Sequence, residues 1–227
     1  MTATMIDADR FLGCILAGAV GDALGAPVEF YTIDTIRKMF GAAGTTGYAE
    51  EYGGHGTITD DTQMTLFTLE RLIRGHRAEH ADLFGPMQHA YQRWFFTQGL
   101  VDRWADAGGS FATKPAPDGW LVTERGLFSP RSPGKTVIAA LRAFAKGDAR
   151  GSFANRLNTS KGCGAVMRAA PFALLGADGF AFAAGLLTHG DPSGYLPAGA
   201  LAHLVHLLLQ GADLREAVAA VRAKLLD

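Results

Sequence analysis

The chain has 227 residues, 48% of them hydrophobic, and its 21 basic and 22 acidic side chains give a formal net charge of −1 at pH 7. This length suffices for one substantial domain, or at most two small ones, with a real hydrophobic core. The balanced charge excludes the basic surface of a dedicated nucleic-acid-binding protein, but it is compatible with a small anionic ligand.

The sequence also limits the targeting signals and the cysteine chemistry. No 18-residue window is apolar without charges or several glycines, and the first ten residues carry acids where a secretory signal has a basic region. We therefore predict no transmembrane helix and no membrane partner. Cys14 and Cys163 are the two cysteines, and they lack the spacing of a zinc site. A reduced, cytoplasmic setting is the expectation.

Hydrophobic residues recur at helical spacing along most of the chain. We predict a buried first helix at residues 10–24 with Asp9 as N-cap, whose glycines would let neighbouring helices pack closely, and we expect it to end at Gly25. Further helices are predicted at residues 62–74, with Gly75 as C-cap, and at residues 81–97, 133–146, 165–175, 180–188, 195–210 and 214–226. The aromatic face of residues 81–97 should pack in the core.

Residues 99–132 are rich in Gly, Pro and Asp and lack periodicity. Loops of this length in a compact domain are usually functional or mobile. No segment shows the sustained alternation of a β-strand, so the sequence predicts an all-α fold.

The sequence from Gly53 to Thr62, GGHGTITDDT, runs from glycines into hydroxyl and carboxylate groups ahead of an apolar helix. Thr59 is a good N-cap, which would place Asp60 and Asp61 in the first helical turn, near the positive end of the helix dipole. The same oxygens are ligands that Mg²⁺ prefers. On these residues alone, helix capping is the stronger interpretation and a metal site the weaker one.

Asp22 and Glu29 flank the end of the first predicted helix in apolar surroundings. A carboxylate carried toward the interior is costly unless it is paired, hydrogen bonded or bound to a metal. The alternative is that Asp22 accepts hydrogen bonds from loop amides and that Glu29 is simply exposed.

Two later segments could contact a ligand. Residues 158–168, NTSKGCGAVMR, place small residues and hydroxyls before a predicted helix, where free N–H groups could bind a phosphate, although a plain glycine turn is the stronger interpretation. His189 follows an apolar helix, where histidine often only interacts with the helix dipole, and it could donate to a ligand oxygen if the loop met Asp60 in space.

Taken together, four motifs occur in the order seen in the ADP-ribosylglycohydrolase family, and the chain resembles that family over nearly its whole length. The motifs are GDALG with Glu29, then TDDT at residues 59–62, then SKGCG followed by MRAAP within residues 160–171, and then Thr188-His189. Four motifs in one order are far more specific than any one of them. The resemblance reverses the preference for simple capping at residues 59–61.

The resemblance implies a compact, orthogonal multi-helix domain that hydrolyses the N- or O-glycosidic bond between ADP-ribose and a protein or other acceptor. It implies two Mg²⁺ or Mn²⁺ ions in a cleft, with Thr59, Asp60 and Asp61 as metal ligands and Glu29, Asp60 and Asp61 in the catalytic machinery. Ser160, Gly162, Cys163, Gly164 and His189 fall where the family binds ADP-ribose, and Asp22 is expected to have no direct role. The acceptor stays open between arginine, serine, a nucleic-acid base and a free ADP-ribosyl compound.

The chain departs from the family at its C-terminal side. Family members carry a second metal motif of the form Asp-x-Asp-Thr, and residues 1–227 form a C-terminally shortened domain without it. Only half of the expected metal ligands are therefore present. Three explanations compete: truncation, completion by another subunit or a swapped segment, and a catalytically impaired ADP-ribose-binding protein. A structural or immunity-type partner that acts by occlusion is a further alternative.

Overall fold

The computed structural model describes residues 7–78, 84–176 and 185–226. Eight α-helices are assigned within these ranges: α1 Ala8–Gly25, α2 Ile33–Phe40, α3 Asp60–Ala78, α4 Phe84–Thr97, α5 Trp104–Ala107, α6 Lys135–Ala145, α7 Pro192–Leu209 and α8 Leu214–Leu226. The predicted all-α class is confirmed, because the strands in the described residues are limited to one hairpin with two residues in each strand. In this hairpin β1 Glu50–Glu51 pairs antiparallel with β2 Gly54–His55.

The core forms where α3 packs against α4. Phe67 of α3 and Tyr91, Trp94 and Phe95 of α4 are fully buried. The aromatic face predicted for residues 81–97 is therefore core packing, and burial of such rings contributes roughly 2–3 kcal/mol each. Residues 81–83 of that predicted helix lie outside the described residues. Gly75, predicted as a C-cap, lies inside α3 because the helix continues to Ala78.

The prediction that the first helix is buried is wrong for most of α1. Leu12, Leu16 and Val20 expose 45% to 56% of their surface, because within the described residues α1 packs on α3 and residues 170–175 along one side. A Cβ added at any of the four α1 glycines would meet no atom within 4 Å, so these glycines do not serve close packing in the described structure. The N-cap is Asp7, two residues before the predicted Asp9.

The α1 region also meets a simple criterion for membrane spanning. Residues Ala8–Val28 are long and apolar enough to cross a membrane, with a mean hydropathy of 1.7. Core helices of soluble proteins and signal sequences also pass this test, so one such helix near the N-terminus is weak evidence. Asp22 within this helix accepts a hydrogen bond from the residue before α3. The absence of a membrane partner stays a prediction.

Residues 165–175 form two 3₁₀ helices, Val166–Arg168 and Ala170–Leu175, where the sequence predicted one helix. Pro171 explains the break, because a proline has no N–H to continue an α-helical ladder and its ring clashes with the preceding turn. Residues 180–184 of the helix predicted at residues 180–188 lie outside the described residues, and residues 185–188 are described. Helix α7 starts at Pro192, capped by the Asp191 side chain, three residues before the predicted start.

The long segment at residues 99–132 contains α5 and three 3₁₀ turns, and it is anchored on the α3–α4 pair. Glu70 of α3 accepts hydrogen bonds from the backbone N–H groups of Trp120 (2.7 Å) and Leu121 (3.2 Å). Its other oxygen accepts from Arg93 at 2.8 Å, and both charged side chains are buried. Both carboxylate oxygens of Glu70 are thus hydrogen bonded, which favours one geometry for the buried pair. Residues 120 and 121 are thereby fixed against the middle of α3.

Candidate active site

Asp22, from the last turn of α1, holds the first turn of α3. Its Oδ2 accepts from the backbone N–H groups of Thr59 (2.8 Å) and Thr62 (3.1 Å) and from the Thr62 hydroxyl (2.5 Å), and its Oδ1 accepts from the Thr59 hydroxyl (2.6 Å). These N–H groups have no partner within α3, so a carboxylate from another helix caps them. The alternative in which Asp22 accepts hydrogen bonds from backbone amides describes the structure, and its role is larger than the sequence suggested.

Thr59 precedes α3, and Asp60 and Asp61 lie in the first turn of this helix, as the capping pattern predicted. The Thr59 hydroxyl accepts from the Asp61 backbone N–H at 3.3 Å while it donates to Asp22. One oxygen lone pair of Thr59 therefore stays available to a ligand. Thr59 itself is buried.

Asp60 is held by the end of the long segment, on another side of the same turn. Its backbone N–H donates to the carbonyl of Arg131 (3.0 Å), and its Oδ2 accepts from the backbone N–H of Gly134 (3.1 Å). Burial, together with the charges of Asp61 and Glu29 and against the opposing effect of the Gly134 hydrogen bond, raises the pKa of Asp60 to about 7. The side chain is only 4% exposed, which fits desolvation as the main cause.

Asp61 and Glu29 face the cleft beside this turn. Both are exposed to solvent, and the catalytic role of Glu29 stays a prediction. Partial desolvation, with the charges of Asp22 and Glu29, raises the pKa of Asp61 to about 6. Desolvation and the charge of Asp22 also raise the pKa of Glu29. Like charges that crowd one site disfavour ionisation, and a bound cation would relieve them.

The donor chemistry of this site fits a hard divalent cation. Carboxylates and a hydroxyl converge on it, and these are the oxygen ligands of Mg²⁺ and Mn²⁺, whereas zinc prefers nitrogen and sulfur. Across residues 7–78, 84–176 and 185–226, no three side chains of His, Cys, Asp or Glu approach closely enough to form a metal site unaided. The described residues thus supply an oxygen-rich half-site.

The second predicted ligand loop lies against His189. A Cβ on Gly164 would come within 2.9 Å of His189 Cε1, and one on Gly162 within 3.5 Å of its Nε2, so the ring packs directly on the loop backbone. The Ser160 hydroxyl is 2.9 Å from the Thr136 hydroxyl and accepts from the Gly162 N–H at 3.3 Å. The glycine loop and His189 therefore lie side by side, and their role in substrate binding stays a prediction.

His189 is neutral at physiological pH. Burial, followed by the charge of Arg168, lowers its pKa to about 4. The Thr188 hydroxyl lies 2.9 Å from His189 Nδ1 and accepts a hydrogen bond from Arg168 at 2.7 Å. Because the ring is fixed through Nδ1, its Nε2 is the edge presented to the Gly162–Gly164 loop.

A cleft of about 740 Å³ connects the two parts of the site. Thr59, Asp61, Asp22 and Glu29 line one part of it, and Cys163 lines it from the glycine loop. Ser160, Gly162, Gly164 and His189 do not line the cleft. Burial and the charge of Asp61 raise the pKa of the Cys163 thiol, which keeps it protonated and unreactive.

Comparison with known proteins identifies the family of this chain. A sequence model of the family described as ADP-ribosylglycohydrolase matches residues 3–227. The chain belongs to the ADP-ribosylglycohydrolase family. The resemblance inferred from the four motifs is confirmed.

Two relatives of this ADP-ribosylglycohydrolase chain show how far the likeness extends. ADP-ribosyl-[dinitrogen reductase] glycohydrolase from Rhodospirillum rubrum is 29% identical over 219 residues, which cover 91% of this chain and 60% of the relative. An uncharacterized protein from Archaeoglobus fulgidus is 35% identical over 91 residues, or 38% of this chain and 28% of the relative. The chain therefore spans less than two thirds of the length of either relative.

Sequence reasoning missed two functional features of this ADP-ribosylglycohydrolase site. Asp22 caps the first turn of α3 directly, a role that the sequence did not assign to it, although an acid in an apolar helix was the available signal. Gly134 was not singled out, although its N–H contacts Asp60. The Ser132-Pro133-Gly134 sequence before α6 is the local signal, because it leaves backbone groups free at a helix start.

Proposed function

We propose that this chain hydrolyses the glycosidic bond between ADP-ribose and a protein or other acceptor in a reaction that depends on Mg²⁺, with Mn²⁺ as the alternative ion. Family membership supports hydrolase activity on ADP-ribosylated substrates. The observation that carries the finer proposal is the crowding of Asp60, Asp61 and Glu29, whose raised pKa values indicate a site suited to a cation.

Thr59, Asp60 and Asp61 would hold the cation, and Glu29 lines the same cleft as Thr59 and Asp61. When bound, the ion would supply Lewis-acid chemistry by binding ribose hydroxyls and polarising a water. Departure of the acceptor from the ribose carbon develops oxocarbenium character, which nearby carboxylates stabilise. Glu29 is solvent-accessible and its pKa is raised, so it is the group we assign to accept the proton of the attacking water.

The glycine loop would bind the ADP-ribose moiety. Backbone N–H groups of such a loop suit phosphate oxygens, and the absence of side chains at 162 and 164 lets the His189 ring pack on the loop. A neutral His189 can donate one N–H to a ligand oxygen without adding charge. Ser160, Gly162, Cys163, Gly164 and His189 are the residues we assign to substrate binding, with Cys163 as a small cleft-lining group.

We further propose that residues 1–227 act as one ADP-ribosylglycohydrolase-like domain in the cytoplasm, with half of the metal ligands of a two-ion site. ADP-ribose binding without turnover is the outcome expected if this half-site holds the ligand but cannot position a nucleophile. An occluding partner protein would show neither binding nor turnover.

The test is calorimetric titration of ADP-ribose with and without Mg²⁺, combined with release of ADP-ribose from arginine-linked and serine-linked substrates. The proposal expects Mg²⁺-dependent binding and turnover that an Asp60→Ala, Asp61→Ala double variant loses. Asp148→Asn, an exposed acid just beyond α6, is the matched control. Full activity in the double variant, or no metal-dependent signal in the parent protein, would contradict the proposal.

A further inference from the structure

Tyr52 and Ser132 are the two residues other than glycine with a positive φ in the described ranges, at 50° and 55°. Tyr52 and Gly53, whose φ is 76°, form the two-residue turn of the β1–β2 hairpin. Such a turn normally prefers Asn, Asp or Gly at the first position, since a bulky side chain is strained there. Strained residues persist where the surroundings fix them, and they concentrate at functional sites.

The two strained residues hold each other. The Tyr52 hydroxyl and the Ser132 hydroxyl are hydrogen bonded, although 80 residues separate them in sequence. Both side chains are partly buried. The hydrogen bond thus ties the tip of the hairpin to the end of the long segment.

Ser132 sits between the two backbone groups that hold Asp60. The carbonyl of Arg131, immediately before it, accepts from the Asp60 N–H. The N–H of Gly134, two residues after it, donates to Asp60 Oδ2. A shift of Ser132 must therefore move both contacts to Asp60. Tyr52 is also close enough to Asp60 and Glu29 to feel their charges.

We propose that Tyr52 is a positioning residue, which fixes the Asp60 carboxylate for metal binding through Ser132 and the backbone on either side of it. The hydroxyl pair holds the Arg131 to Gly134 backbone in one conformation, and that backbone fixes the orientation of Asp60. Tyr52 does not need to contact the ion or the substrate. This assignment rests on the proposed metal site.

The first experiment measures Mn²⁺ affinity by calorimetry in the parent protein, Tyr52→Phe and Ser132→Ala. Groups that orient a metal ligand typically contribute a factor of about 10–100 to affinity. We expect a loss in that range for each variant, and no further loss in the double variant. Tyr48→Phe is the matched control: its ring lies beside the same hairpin, and its hydroxyl makes no hydrogen bond within the described residues. Affinities of Tyr52→Phe and Ser132→Ala within twofold of the parent would overturn the proposal.

The second experiment needs neither metal nor activity. Midpoints of thermal unfolding are measured for Tyr52→Phe, Asp60→Ala and the double variant in chelator. Positioning of Asp60 by Tyr52 predicts that the two shifts do not add, whereas a purely local hydroxyl pair predicts additive shifts. Additive shifts would overturn the proposal. A parent protein that shows the coupling and binds Mn²⁺ but releases no ADP-ribose would contradict only the proposed function.

Discussion

Replacing Asp60 by asparagine should stabilise the metal-free protein at neutral and alkaline pH. Asparagine keeps the shape of the side chain and an oxygen that can accept from Gly134, but it removes the charge. The pKa of Asp60 is raised from 3.8 to about 7, mainly by burial. The ionised carboxylate therefore opposes folding, and the neutral amide should not.

The pKa of Asp60 sets an upper bound on the size of this effect. Each tenfold change in acidity corresponds to about 1.4 kcal/mol, so the charge costs at most about 4 kcal/mol of unfolding free energy. Structural relaxation and water entry lower such costs, and we expect about 1–2 kcal/mol. In a protein of this size that corresponds to a rise of roughly 3–6 °C in the midpoint of thermal unfolding.

The raised pKa of Asp60 determines how the stability difference between Asp60→Asn and the parent changes with pH. Because the folded-state pKa is raised, the destabilisation begins as pH rises above 3.8 and is complete above about 7. Thermal unfolding in chelator should show Asp60→Asn and the parent converging near pH 4 and separating up to pH 8. The exposed Asp148→Asn control should match the parent throughout. An Asp60→Asn variant that is no more stable at pH 8, or equally more stable at pH 4, would refute the reasoning.

Three further perturbations test the surroundings of this turn. The pKa of His189 is lowered to about 4 in the folded protein, so stability that is present above pH 6.5 is lost as the pH falls through 4. His189→Gln should therefore make the unfolding free energy less dependent on pH in this range. Urea unfolding of the variant and the parent at pH 4 to 7 measures this, and equal slopes for the two proteins would argue against it. Asp22→Ala should lower the unfolding free energy by about 1–3 kcal/mol, since it removes the cap of α3. A loss below about 0.5 kcal/mol in urea unfolding would mean that water replaces the carboxylate. Gly164→Ala should cost about 1–3 kcal/mol because its Cβ would lie 2.9 Å from His189, whereas Gly126→Ala has open space and serves as control; equal melting midpoints for the two variants would count against the packing of this loop.

The parts of the fold that follow local rules were predictable from the sequence. Helix α8 has the predicted bounds, and the aromatic face of α4 forms the core as its periodicity indicated. Asp60 and Asp61 fell in a first helical turn because a threonine cap precedes them. The break near Pro171 was also encoded locally, but the apolar pattern around it outweighed the proline in the prediction.

The parts that depend on distant pairs were not predictable. Apolar periodicity indicated that one face of α1 is hydrophobic, but it could not show which element covers that face, and the described elements leave Leu12, Leu16 and Val20 exposed. The long segment seemed to lack order because its anchor is Glu70, some 50 residues away in sequence. Asp22 likewise acts on a turn 37 residues later.

These distant pairs explain how a short helix turn can hold crowded carboxylates. Asp22 binds the turn through the N–H groups and hydroxyls of Thr59 and Thr62, and the backbone around Ser132 binds it through Asp60, so two separate elements fix it. The burial, and the lesser charge repulsion, that raise the pKa values of Asp60 and Asp61 are thereby sustained by the fold instead of being relieved by movement. A ligand that binds only the folded state adds stability with its concentration. Added Mn²⁺ should therefore remove the advantage of Asp60→Asn at pH 8, because the parent gains a partner for its charges and the variant does not.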